Sequence, residues 1–285
     1  MSTLFLVLCL SFSLVSHLFA AQSTIAEAEG YACMGDDKSR KQAEELAMAD
    51  AKRKAAEFAA TYIKSETHLK DLALEKDLLS AYANATVKVI QEIERVWYKD
   101  PAAGDCCRIK IKADVIPDEK LMEQVSKDKR FLDDPGSPLT VTAWTNKKEY
   151  RKGEKIRIYM KGNKPFHAAV LYKDAAGQIL QLLPNPYRKH NYFYGGVVYE
   201  IPSSDDRFDL EVTPPFGEEQ VMVYASTSPL GDMSLEANGG VYLVKTSLAS
   251  ITEKTRAVKL TTKKDGKQGG AEFAESASMV RTRGK

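Results

Sequence analysis

The first twenty residues of this 285-residue chain contain no lysine, arginine, aspartate or glutamate. Leu4–Leu10 is a continuous apolar run, and polar sequence begins directly after Ala20 and Ala21. The run is shorter than the roughly 20 apolar residues of a membrane-spanning helix, and it ends on small residues, as a secretory signal peptide does. We therefore expect residues 1–21 to be a signal peptide, although the usual basic residue before the run is missing. An uncleaved anchor is the alternative.

The rest of the chain has no second long apolar run, so the sequence predicts no further membrane span and leaves peripheral association with a membrane open. The formal net charge of +2 is too small to create the field that nucleic-acid binding needs. Export excludes nucleotide-driven cytosolic enzymes as well. We expect a periplasmic or outer-membrane-associated protein.

Motifs for catalysis are scarce. Histidine occurs beyond the signal peptide only at His68, His167 and His190. The chain has no Gly-x-Ser-x-Gly elbow, no His-Glu-x-x-His zinc motif and no phosphate-binding loop. The carboxylates between Asp205 and Glu219 lack the spacing of a calcium loop. We predict a protein without enzyme activity, cofactor or metal; an unrecognised hydrolase, for example with His190 and Glu200 in one cleft, is an alternative.

Only three cysteines follow the signal peptide, so an oxidising compartment would pair two of them and leave one over. On the predicted strand Cys106–Val115, Cys107 shares the apolar face and Cys106 the polar face. On the predicted strand Ile25–Cys33, the even positions are small and Cys33 lies on the opposite face. If the strands are neighbours, this parity pairs Cys33 with Cys106 and buries Cys107. A bulge near the turn would make Cys107 the partner instead.

Residues 22–118 are predicted to form a small α/β domain with helices on an antiparallel sheet. After the first strand, Asp36–Ser39 offers helix-capping oxygens, and a helix should run to about Ile63. One face of this helix carries an alanine at every fourth position, namely Ala43, Ala47, Ala51, Ala55 and Ala59. A second helix is predicted at Leu69–Ser80, with Leu72, Leu78 and Leu79 pointing inward. A strand at Ala85–Tyr98 follows, with Val87, Val89, Ile93 and Trp97 in alternation.

Residues 119–136 form a charged linker in this interpretation, with a short helix at Glu119–Lys127. Residues 137–261 then show short apolar segments between turn residues, a pattern typical of an antiparallel sandwich. The predicted strands are Leu139–Thr145, Lys155–Met160, His167–Tyr172, Ile179–Leu183, Val197–Ile201, Phe208–Val212, Val221–Ser226 and Val241–Lys245. Residues 262–285 are predicted to be a flexible tail with one last edge strand. The fold class is α+β.

The first half resembles a known envelope domain. The segments that carry the resemblance are Gly30–Ala32, Ala47–Ala55, Ser65–Thr67 and Val115–Pro117. They are similar to the N-terminal domain of the flagellar T-ring protein FlgT and of small outer-membrane lipoproteins. Ala60 departs from the pattern, because a glycine would be expected near that position.

The second half resembles a bacterial family catalogued only as a domain of unknown function. The segments that carry it are Ser137–Val141, Trp144–Thr145, Lys148–Glu154, Leu183–Pro186 and Tyr224–Ser226. The resemblance implies an Ig-like β-sandwich and no catalytic residues.

The segment Pro184–Gly196 is long for a sandwich loop and rich in aromatic and basic residues, as binding loops often are. Its candidate binding residues are Tyr187, Arg188, His190, Tyr192, Phe193 and Tyr194. We predict an interaction or assembly module with a protein partner in the envelope. Recognition of glycan or peptidoglycan is the alternative function, and packing of the aromatics under the loop is the purely structural one. The sequence leaves the oligomeric state open.

Overall fold

The computed structural model describes residues 22–204, 206–233, 235–238, 241–245, 247–257 and 269–285. The predicted signal peptide lies outside these residues, as does the predicted flexible stretch up to residue 268. The described part is a mixed α+β fold in which strands outweigh helices, which confirms the predicted class. No helix in these ranges is both long enough and apolar enough to cross a membrane.

The first half places helices on one face of an antiparallel sheet. Its elements are β1 (Gln22–Cys33), α1 (Arg40–Glu66), α2 (Leu72–Ala83), β2 (Thr86–Asp100), β3 (Gly104–Ile116), α3 (Glu119–Ser126) and α4 (Lys129–Asp133). The predicted linker is occupied by α3 and α4. These two helices bury Met122, Val125 and Phe131 in the core of this half, so the segment is packed rather than a free connector.

Helix α1 begins at Ser39, which caps it. The Ser39 hydroxyl accepts from the Gln42 backbone N–H, and the Gln42 side chain accepts from the Ser39 backbone N–H, a capping box. The row of five alanines is fully buried against the sheet, as predicted. Gly30 of β1 lies under this row, and a Cβ there would overlap the backbone of Ala47 and Ala51. Small residues on both sides therefore bring helix and sheet very close together.

Two details of the first half differ from the prediction. Helix α2 starts later than expected, because the Asp71 side chain caps it by accepting from the Ala73 and Leu74 backbone N–H groups. Leu72 is consequently exposed rather than inward. In β2, register shifts on either side of Gln91 and Glu92 break the alternation, and Ile93 turns to solvent.

The predicted disulfide is present. Cys33 and Cys106 are directly opposite in the β1–β3 ladder and are bonded, while Cys107 is free and buried. The ladder runs without a register shift from Thr24–Val115 to Cys33–Cys106, so the parity argument holds along its length.

The second half is mostly β. Its elements are β4 (Val141–Thr145), β5 (Glu149–Arg151), β6 (Ile158–Gly162), β7 (Phe166–Lys173), β8 (Ile179–Leu183), β9 (Tyr192–Phe193), β10 (Tyr199–Ile201), β11 (Glu218–Ser226), β12 (Leu235–Asn238), β13 (Val241–Val244), α5 (Leu248–Arg256) and β14 (Ala271–Arg283). Four of these elements, β5, β9, β12 and α5, lie outside the predicted strands. The predicted strand Phe208–Val212 is irregular and retains one isolated bridge, Lys155–Glu211.

The strands form one large sheet and one small one. The main path of the large sheet runs β12-β13-β8-β7-β11-β14-β1-β3-β2, with β5 and β9 attached to β14 and β7. The small sheet, β10-β6-β4, packs on one face of the large sheet over a shared apolar core. On the opposite face, Ile251 of α5 packs with Leu171, Met222 and Phe273, and with Ile25 of the first half.

Strand β14 joins the two halves. Ala274 pairs with Gln22 of β1 on one side and with Ala225 of β11 on the other. The predicted last strand therefore exists, but it lies inside the sheet and not at its edge. Near the start of β14, the buried Glu272 carboxylate accepts from the Leu139 backbone N–H and from Lys164, 3.1 Å away. Burial raises the pKa of Glu272, and Lys164 opposes that rise.

Candidate binding loop

The loop that the sequence singled out, Pro184–Gly196, starts from a rigid turn. Asn185 is buried, and its side-chain oxygen accepts from the backbone N–H groups of Tyr187 at 2.9 Å and Arg188 at 2.7 Å. Its side-chain nitrogen donates to the Leu182 carbonyl at 2.9 Å. The asparagine between two prolines thus fixes the turn to the end of β8.

Arg188 is held by a nearly buried carboxylate. Its guanidinium lies 3.1 Å from Asp206, whose side chain is only 3% exposed. Asp206 also accepts from the backbone N–H and the hydroxyl of Ser203, at 2.8 and 3.1 Å. The guanidinium lies 5.6 Å from the centre of the Phe193 ring as well. Because these contacts occupy Arg188, this side chain fastens the loop to Asp206 and, through it, to Ser203.

Phe193 also anchors the loop. It is 2% exposed and packs against Phe166, with ring centroids 5.5 Å apart, and against Tyr199 at 4.9 Å. Among the six predicted binding residues, Phe193 is therefore placed in the core, out of reach of a partner at the surface. The purely structural interpretation is right for this ring.

The remaining aromatics of the loop face solvent. Tyr187, Tyr192 and Tyr194 are 57%, 48% and 65% exposed, and His190 is exposed with them. The rings of Tyr192 and Tyr194 meet edge-on, at 5.7 Å and 80°, so they form no flat platform. Tyr192 also meets the edge of the His167 ring at 5.1 Å.

Two further apolar side chains directly after the loop, Val197 and Val198, are 44% and 52% exposed. Twelve large hydrophobic side chains are exposed across the described residues, and five of them lie between Tyr187 and Val198. This short stretch is therefore the main concentration of exposed apolar side chains in the described part of the protein. Both valines belong to the predicted strand Val197–Ile201 and were therefore not among the predicted binding residues, but β10 begins only at Tyr199.

Two open polar grooves adjoin the loop. One, of about 770 Å³, is lined by Pro186, Tyr187, Arg188, Ser203, Asp206 and Arg207. The other, of about 670 Å³, shares Ser203, Asp206 and Arg207 and extends to Arg157 and Glu200. Both contain charges of both signs. Asp206 and Asn185, which shape the loop, were not among the predicted site residues. The sequence alone does not show that Asp206 is buried and paired with Arg188.

The residues of the hydrolase and calcium alternatives lie on the loop or follow it in the chain. The Glu200 carboxylate faces Arg157 at 3.7 Å, and His190 lies on the exposed loop. Within the described ranges, no three histidine, cysteine, aspartate or glutamate side chains cluster as metal ligands would. Asp205, part of the carboxylate-rich segment, lies outside those ranges.

Comparison with known proteins places a family match on the segment that carries this loop. Residues 149–229 match the family described as "Domain of unknown function (DUF4384)". This agrees with the predicted resemblance of the second half to a domain of unknown function. No curated protein matches the chain.

Proposed function

We propose that the chain is an exported, non-catalytic envelope protein that binds a protein partner through Tyr187, Tyr192, Tyr194, Val197 and Val198. We call these five side chains the apolar patch. In this proposal the protein works as an assembly module in the periplasm or at the outer membrane. Its first half serves as a FlgT-like domain, and its second half is an Ig-like sandwich that presents the patch.

The observation that carries the proposal is the concentration of exposed apolar side chains on an anchored loop. Tyrosine supplies large contact areas at little cost in side-chain entropy and is enriched at binding hot spots. The Asn185 turn, the Arg188–Asp206 ion pair and buried Phe193 hold the backbone beneath the patch. A preorganised loop loses little entropy on binding, and exposed hydrophobic groups that are clustered in this way mark interaction sites.

Glycan recognition remains the second candidate, because exposed tyrosines also stack on sugar rings. The edge-on geometry of Tyr192 and Tyr194 favours the protein partner, since stacking on a sugar uses the flat face of a ring. Peripheral membrane association would use the same apolar side chains.

Site-specific photo-crosslinking in the native envelope tests the proposal. A photoreactive residue at position 187 or 194 should give a discrete protein adduct, and the same residue at position 31 or 98 should not. Tyr31 and Tyr98 are matched controls, because both are exposed aromatics in the first half. The variant Tyr187→Ala/Tyr192→Ala/Tyr194→Ala should lose the partner, whereas Tyr31→Ala/Tyr98→Ala should keep it.

Two results would overturn the assignment. Equal crosslinking from the patch and the control positions would remove the patch from the interface. Retention on isolated peptidoglycan that is lost only in the triple variant would move the function to glycan binding. Export is tested separately by the mass of the protein recovered from the periplasm, which should begin at Gln22.

A further inference from the structure

A cleft opens in the second half between β8 of the large sheet and the segment Phe208–Val212, and none of its lining residues belongs to the apolar patch. Leu180 and Leu182 of β8 form one wall, and the irregular segment Phe208–Val212 forms the other. Tyr172 and Ile156 reach it from the core. The cleft has a volume of about 380 Å³, which is within the range of small-molecule sites.

The cleft borders Phe208–Val212, which does not form a regular strand. The segment follows residues 153–156 through a few backbone hydrogen bonds, among them Ile156 N–H to the Leu210 carbonyl at 2.8 Å. It does not pair with β8, which is flanked by β7 and β13 in the large sheet, and a gap remains between the segment and β8. Six partly buried hydrophobic residues pack against this core, and four of them line the cleft: Leu180, Phe208, Leu210 and Val241. The apolar core therefore reaches solvent here.

The charged side chains that line this cleft all carry the same sign. They are Asp174, Asp209, Glu211 and Glu219, and the described residues that line the cleft include no lysine, arginine or histidine. Glu219 is buried and accepts from the hydroxyls of Tyr172 and Thr282. Asp209 pairs with Lys155, outside the lining, at 2.7 Å. Asp174 accepts from the Gln178 backbone N–H at 2.8 Å and Glu211 is exposed, so these two carboxylates are the ones that a ligand would meet at the rim.

We propose that this cleft binds a small amphipathic cation, with an aliphatic or aromatic body between β8 and Phe208–Val212 and an amine beside Asp174 and Glu211. Burial of the body against the open core supplies the affinity. The carboxylates select the sign of the head group, because they attract an ammonium ion and repel a carboxylate on a chain of the same length. The site is separate from the apolar patch, so each proposal stands or fails independently.

Calorimetric titration of the mature protein with octylamine, octanol and octanoate at neutral pH, below micellar concentrations, tests the inference. We expect saturable binding of octylamine, at least about tenfold tighter than octanoate, with octanol between them. Glu211→Gln should lower the ratio of the octylamine affinity to the octanoate affinity by about threefold. Glu45→Gln is the matched control, because it makes the same charge change on exposed α1, and it should leave the ratio unchanged.

The location is checked on the wild-type protein, so the test does not depend on how a variant folds. Octylamine should shift the backbone amide resonances of Leu180, Leu210 and Val241 in a saturable way. Absence of saturable octylamine binding, equal affinity for octanoate, or shifts confined to other regions would each overturn the proposal.

Discussion

At the scale of single residues, Gly30 sets how closely α1 can approach the sheet. The five buried alanines of α1 lie over β1, and the glycine leaves room for the backbone of Ala47 and Ala51. Gly30→Ala should lower the free energy of unfolding by at least about 2 kcal/mol, because neither backbone can move away from the added methyl group. Urea unfolding measures this loss.

Gly284→Ala is the matched control for that substitution. A Cβ at Gly284 would meet its nearest heavy atom, in the Phe216 ring, at 3.5 Å, which is an ordinary contact. The change in unfolding free energy should be smaller than about 0.5 kcal/mol. Equal effects of the two substitutions would contradict the close approach of helix and sheet.

The cysteines give a second prediction at this scale. The Cys33–Cys106 bond spans a sequence separation of 73, so Cys33→Ser/Cys106→Ser should lower the free energy of unfolding. The chain-entropy model gives a loss of about 4 kcal/mol for such a loop. Thiol titration of the unreduced mature protein should detect no reactive thiol in the folded state and a single one, Cys107, after unfolding. A reactive thiol in the folded protein would contradict this pairing.

The pairing of Cys33 with Cys106 could be predicted from the alternation of side chains, because β1 and β3 pair without a register shift. The same reasoning failed for Ile93, since the bulges of β2 depend on its partner strand and leave no mark in the spacing of apolar residues. It also could not separate Phe193 from Tyr192 and Tyr194. All three are aromatic, and only the position of Phe166 beneath the loop decides which ring is buried.

At the scale of elements, β1 has a free edge that α1 protects. Strand β14 pairs with β1 only over Gln22–Ile25, so the edge beyond Ile25 has no strand partner among the described residues. Asp50 of α1 accepts from the Tyr31 backbone N–H at 3.2 Å, and Lys54 donates to the Glu29 carbonyl at 3.0 Å. These side chains occupy backbone groups that another strand could otherwise bind.

Removal of this protection should promote aggregation. Asp50→Ala/Lys54→Ala uncovers the edge while it keeps the net charge and raises the helix propensity, and light scattering at mildly elevated temperature should rise faster than for the wild type. Lys41→Ala/Glu45→Ala removes a similar exposed pair from the same helix, without contact with β1, and should behave like the wild type. Identical scattering of both variants would contradict the protective role.

Elements with a strong local pattern could be predicted, and those that depend on partners could not. The alanine row and the Ser39 cap specify α1 within the sequence itself. Phe208–Val212 has the composition of a strand, but its backbone hydrogen bonds go to residues 153–156 and only one isolated bridge remains. This irregular segment lines the cleft, so the cleft could not be predicted from the sequence.

At the scale of the whole molecule, β14 makes one sheet out of two halves that the sequence presents as separate domains. In its pairing with β1, Ala271 lies opposite Ile25. These two residues are separated by nearly the full described length of the chain. No local pattern reveals such a contact. Arg256 of α5 strengthens the connection, because it pairs with Glu275 of β14 at 2.6 Å and also contacts buried Asp114 of β3.

This architecture predicts that the two halves unfold together. The chain has two tryptophans, Trp97 in the first half and Trp144 in the second, so Trp144→Phe and Trp97→Phe leave one fluorescent reporter in each half. In urea, the two reporters should give the same midpoint, although domains joined only by a linker would unfold separately. Different midpoints would contradict the coupling through β14.

Substitution within β14 then tests the cause of the coupling. Ala274 is fully buried and pairs with both β1 and β11, so Ala274→Asp buries an unpaired carboxylate at the junction. It should lower the free energy of unfolding by at least about 3 kcal/mol and move both tryptophan midpoints together. Met279→Asp places the same charge on a 43% exposed position of β14 and should have a much smaller effect. If Ala274→Asp shifts only the Trp144 transition, the first half is stable without β14.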